Sequence, residues 1–120
     1  MPQLPVVVVI EDQSELRQVL RDVLDDEGYE VLPVRDPTEA MAVLREKTVD
    51  LLVSDLTEKE EECADPLADV CREFPDLPLI VLSEDAGPFF GPWRVSGSRM
   101  ILRKPFRLDD LIAASREIVG

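Results

Sequence analysis

The chain has 120 residues and a mass of 13.5 kDa, with 45% hydrophobic and 32% charged residues, so a single domain over 1–120 is expected and disordered or fibrous chains are excluded. Thirteen basic against 26 acidic residues give a net charge of -13 with no His; direct nucleic-acid binding, which needs a basic surface, is disfavoured, and histidine chemistry is ruled out. No basic leader or membrane-length apolar run occurs, which points to the cytoplasm and no membrane partner, and Cys63 and Cys71 match no zinc or redox spacing and read as free thiols.

Val6 to Ile10 is apolar without polar alternation, the pattern of a strand covered on both faces. Leu16, Val19, Leu20, Val23 and Leu24 then repeat at helical spacing and stop before Gly28, which suits a left-handed helix end. Tyr29 to Val34 reads as an edge strand, because Pro33 has no N–H to donate to a neighbour. Asp36, Pro37 and Glu39 are an N-cap, a first-turn proline and a capping-box acid, so a second helix should run through Leu44. A strand at Leu51 to Val53 follows. Asp65 and Pro66 repeat the helix-start pattern, with Leu67, Val70, Cys71 and Phe74 on one face and Pro75 as the stop. Leu79 to Leu82 is the fourth strand. Two prolines and two glycines between Gly87 and Trp93 predict a short or irregular fourth helix. A last strand near Arg99 to Leu102 leads to an amphipathic helix carrying Leu108, Leu111, Ile112, Ser115, Ile118 and Val119.

Strands alternating with helices imply an α/β doubly wound, five-stranded parallel sheet with helices on both faces. With the Pro33 strand outside the first, the order is 2-1-3-4-5, the flavodoxin-like arrangement, whose ligand crevice lies at the carboxyl ends of strands one and three.

Acids stand at those ends. Strand one runs into Glu11 and Asp12, and strand three through Ser54 into Asp55. Two like charges about 4 Å apart repel by about 4 kcal/mol at an effective dielectric near 20, which favours a divalent cation. Magnesium suits hard oxygens, with Asp12 and Asp55 as direct ligands and Glu11 holding a coordinated water. The acids would repel a flavin phosphate. Strand four ends in Ser83 and strand five leads to Lys104, a hydroxyl and an ammonium able to hold phosphoryl oxygens on an aspartyl phosphate. Taken singly, each of these residues also reads as a solvated strand end, a turn residue or a surface lysine. Taken jointly, they read as a carboxylate nucleophile with its stabilising groups.

On these residues the whole chain resembles the receiver domain of two-component response regulators. The matching pieces are Glu11 and Asp12 in VVVVIEDQ, Asp55 in LLVSDL, Ser83 in LIVLS, and Lys104, Pro105 and Phe106, with Asp12, Asp55, Ser83 and Lys104 spaced by 43, 28 and 21 residues. The resemblance implies a phosphoryl group accepted on Asp55 from a histidine kinase or phosphotransfer protein, Mg²⁺ completed by the backbone carbonyl of Thr57, and a partner surface that switches on phosphorylation. Such a domain is a signalling module that catalyses only its own phosphorylation and dephosphorylation. An aspartyl-phosphate phosphatase would need an Asp where Thr57 stands.

Several positions depart from the family pattern. The proline and glycine usual after the acceptor are replaced by a stretch with five carboxylates and one lysine between Glu58 and Asp65. Glu84 and Asp85 follow Ser83 where a small residue is usual, and Ile101 stands where a switch aromatic is usual. Glu84, Ile101 and the irregular fourth helix support an alternative, a degenerate receiver acting as a phosphorylation-independent interaction module. Phe89, Phe90 and Trp93, and the acid-free segment from Arg94 to Arg107 with four arginines and one lysine, read either as local core and solvated edge or as a surface for a downstream partner or a second copy. The chain leaves no room for an output domain and reads as a stand-alone regulator or a piece of a longer one.

Overall fold

The computed structural model describes residues 4–55, 69–70, 72–83, 99–103 and 105–119; at Asp55, Ser83, Arg99, Met100, Ile101 and Arg103 it describes the backbone only. Five strands, β1 (Val6–Ile10), β2 (Glu30–Val34), β3 (Leu51–Asp55), β4 (Leu79–Ser83) and β5 (Arg99–Arg103), form one parallel sheet in the order β2-β1-β3-β4-β5. This is the expected order. Helices α1 (Ser14–Asp26), α2 (Pro37–Glu46) and a C-terminal helix (Leu108–Val119) cover the sheet, with helical residues also at 69–70 and 72–73. The fourth-helix segment, the acidic stretch after Asp55, Cys63, Cys71 and the Asp65–Pro66 helix start lie outside the described residues.

The central strands carry apolar residues on both faces because both faces are covered. Val8, Ile10, Leu52, Leu79 and Val81 pack on one side with Ala40 and Leu44 of α2 and with Val70. Val7, Val9, Leu51, Val53, Ile80 and Leu82 pack on the other with Leu20 and Leu24 of α1 and Leu111 and Ala114 of the C-terminal helix. β2 lies at the edge, and its Pro33 pairs in register with Val9. An edge position tolerates the missing donor.

Local rules fix the helix ends. Gly28 has φ of +91°, its N–H donates to Asp25 O at 3.0 Å, and Tyr29 N–H reaches Leu24 O at 3.4 Å. This pair of bonds is a Schellman closure, and Tyr29 and Leu24 share a core cluster. At α2, Asp36 Oδ1 accepts from Glu39 N–H at 2.9 Å, while Glu39 Oε1 accepts from Arg35 N–H at 2.7 Å, one residue before the cap. That backbone bond, aided by the Arg35 guanidinium, holds the Glu39 carboxyl below its ordinary 4.5.

Two apolar residues of the expected stripes stay in solvent, Val19 at 43% exposure and Leu108 at 40%. Successive helix residues are about 100° apart, so with Leu20 at the centre of the buried stripe Val19 falls on its flank. Leu108 opens its helix ahead of the first buried position, Leu111. Ser115 is fully buried, with its hydroxyl donating to Leu111 O at 2.8 Å. Among the described residues no helix is long and apolar enough to cross a membrane.

Gly28→Ala and Asp36→Ala should each lower unfolding free energy by about 1 kcal/mol in urea titrations, the first through the left-handed backbone and the second through the lost cap. A lowered folded pKa means that the Glu39 contribution is present above 4.5 and fades as pH falls through the folded value. The parent's stability should therefore fall more steeply than that of Glu39→Gln in acid.

Candidate functional site

Parallel register sets all strand carboxyl ends on one rim. Ile10 pairs with Ser54 and Val34, Asp55 pairs with Leu82, and Ser83 pairs with Arg103. Glu11 and Asp12 therefore follow β1 beside the last residue of β3, and Ser83 ends the next strand over. Adjacent strands are about 4.8 Å apart, so these strand ends fall within a span of roughly 10 Å. Lys104 and Thr57 lie outside the described residues.

Glu11 continues the ladder by one step, its N–H donating to Val34 O at 3.0 Å. Its side chain is turned inward and only 2% exposed. One carboxylate oxygen, Oε2, accepts from Gln13 N–H at 3.0 Å, which holds the acid against the first turn of α1. Asp12 faces solvent. The rim thus presents one buried and one exposed carboxylate in succession, a difference that the tandem acids of the sequence do not reveal.

The sequence reading missed Arg17. Its Nη1 donates to the carbonyl of Glu11 at 2.9 Å and to that of Asp12 at 3.5 Å. A cation in the first turn of a helix opposes the helix dipole, and that mismatch is the sequence signal that could have singled it out.

A cleft of about 450 Å³ lies elsewhere, lined by Leu44, Val49, Phe74 and Leu77 at the amino ends of β3 and β4. The Glu73 carboxylate beside it is neutralised by a two-bond pairing with Arg45, at 2.7 Å for each bond. That guanidinium holds the Glu73 carboxyl below its ordinary value. The cleft lies at the opposite end of the sheet from the tandem acids.

Residues 7–116 match the family described as the response regulator receiver domain. The chain belongs to that family. The receiver is 31% identical over 117 residues to the transcriptional regulatory protein CpxR of Klebsiella pneumoniae, covering 94% of this chain and 48% of CpxR. The chain thus spans about half the length of that relative, and 22% of the DNA-binding transcriptional regulator NtrC of Bradyrhizobium, to which it is 31% identical over 108 residues. Its fold is similar to that of chemotaxis protein CheY4 of Vibrio cholerae, with a TM-score of 0.81, 23% identity, and coverage of 96% of this chain and 98% of that one. It is also similar to a structure described as a transiently phosphorylated switch in bacterial signal transduction, with a TM-score of 0.80, 26% identity, and coverage of 98% and 96%. The receiver is a two-component signalling domain rather than a conventional enzyme.

Proposed function

We propose that this receiver accepts a phosphoryl group on Asp55 from a histidine kinase or phosphotransfer protein and switches a protein contact in response. The observation that carries this reading is the strand register, which puts Glu11, Asp12, Asp55 and Ser83 on one rim of a receiver-family sheet. The likeness to a transiently phosphorylated switch supports it.

In the proposed step a carboxylate oxygen of Asp55 attacks the phosphorus of a phosphohistidine. The new P–O bond forms as the P–N bond breaks, and the departing imidazole keeps the bonding electron pair. Lys104 and the Ser83 hydroxyl would hold the phosphoryl oxygens as charge shifts onto them. In sequence, Lys104 directly follows Arg103, the last residue of β5. The donor set suits Mg²⁺: carboxylate oxygens of Asp12 and Asp55 with the Thr57 carbonyl as direct ligands, and Glu11 behind a water. The buried Glu11, with one oxygen engaged by Gln13 N–H, fits that indirect role. When bound, the ion would supply positive charge against the crowded oxygens.

The second reading, a phosphorylation-independent interaction module, is favoured by Glu84 and Asp85, which add negative charge after Ser83, and by Ile101. On either reading, the Phe89 to Trp93 and Arg94 to Arg107 segments are the proposed contact region for a downstream protein or a second copy.

Incubation with Mg²⁺ and acetyl phosphate should add one phosphoryl mass to the parent and none to Asp55→Asn in intact mass spectra. No adduct on either would support the interaction module. Replacing Glu60, Glu61 and Glu62 by Gln should speed phosphorylation by this anionic donor several-fold at low ionic strength, with the difference shrinking in salt. Unchanged rates would show that the acidic stretch does not control access.

A further inference from the structure

We infer that Arg17 is a positioning residue for the acidic rim, fixing the direction of the Asp12 carboxylate through the two carbonyls that flank it. The inference rests on the phosphoacceptor reading and concerns how this chain prepares its metal-binding acids.

The geometry is specific to Asp12. The Glu11 carbonyl belongs to the peptide plane before Asp12 and the Asp12 carbonyl to the plane after it. Rotations of these two planes are φ and ψ of Asp12, which set where its Cα–Cβ bond points. A single guanidinium nitrogen bound to both oxygens, at 2.9 Å and 3.5 Å, couples the two rotations. Arg17 is itself anchored, since its backbone N–H donates to Gln13 O at 2.9 Å at the start of α1. Helical side chains lean toward the helix N-terminus, so a residue in the first turn is suited to reach back over the loop.

The partner acid has a separate tether. Glu11 Oε2 accepts from Gln13 N–H, which leaves the exposed Asp12 as the carboxylate whose direction depends on Arg17. The Arg17 charge also extends to Glu39 at the start of α2, where it is a minor contributor to the lowered carboxyl pKa.

Electrostatics alone makes the opposite prediction. A guanidinium near the acids repels a divalent cation, so removing its charge should tighten Mg²⁺ binding. Loss of an orienting outer contact instead weakens metal affinity, by about 10- to 100-fold where this has been measured in metal sites. The sign of the change therefore separates positioning from simple repulsion.

The experiment is isothermal titration of the 120-residue chain with MgCl₂, comparing the parent, Arg17→Gln and Arg17→Lys, with thermal unfolding of each in chelator. Arg17→Gln should bind Mg²⁺ about tenfold more weakly, and Arg17→Lys, which keeps the charge but not the planar fork, should fall between it and the parent. A purely structural role would lower the unfolding midpoint and leave the Mg²⁺ Kd unchanged. Unchanged or tighter binding by Arg17→Gln overturns the inference while leaving the phosphoacceptor reading intact. If Arg17→Gln does not fold, Arg17→Lys decides, and a Kd equal to the parent's overturns the inference. A parent that binds no Mg²⁺ defeats the phosphoacceptor reading, and this inference with it.

Discussion

The site depends on burial of the three inner strands on both faces. Val7, Val8, Val9, Leu51, Leu52, Val53 and Ile80 are fully buried, and Leu79, Val81 and Leu82 nearly so. A slip of one residue in any of these strands would exchange the side chains meeting α2 for those meeting α1 and the C-terminal helix. The register is thereby fixed, and with it the level at which each strand ends. Acids placed immediately after those ends are carried to the rim by core packing rather than by any attraction among themselves. Their mutual repulsion is offset by burial elsewhere.

At the rim, local contacts take over from the core. Glu11 is buried and tied to Gln13 N–H, and the backbone on both sides of Asp12 is tied to Arg17. These ties need only the first turn of α1, which begins at Ser14, two residues after Asp12, and has no side-chain cap of its own at Gln13. The loop after β1 and the start of α1 therefore act as one unit. In a chain of charge -13, orientation of each acid matters more than its presence, because 26 acidic residues make negative charge plentiful.

Much of this was legible in the sequence for identifiable reasons. Unbroken apolar runs announced β1, β3 and β4, because a strand covered on both faces has no polar alternation to show. Pro33 announced the edge, Gly28 the end of α1, and Asp36 with Glu39 the start of α2, since each rests on a constraint that acts within a few residues. Val19 was misplaced because periodicity gives the direction of a stripe and not its width. Arg17 was missed because its partners are backbone carbonyls, which every sequence offers everywhere. The burial of Glu11 beside an exposed Asp12 escaped for a related reason: two adjacent acids read alike until the ladder bond to Val34 shows which one the sheet still holds.

The proposed reading has a phosphoryl group received on the rim at the carboxyl ends of β1, β3 and β4. Its most direct test is a two-dimensional amide NMR map of the chain with Mg²⁺, before and after adding beryllofluoride as a phosphoryl mimic. The expected result is a set of Mg²⁺-dependent shifts centred on Glu11 to Gln13, Asp55 and Ser83, all abolished in Asp55→Asn. Absence of shifts at those positions, or shifts centred instead on Thr48 to Asp50 and Leu77 at the opposite end of the sheet, would contradict it.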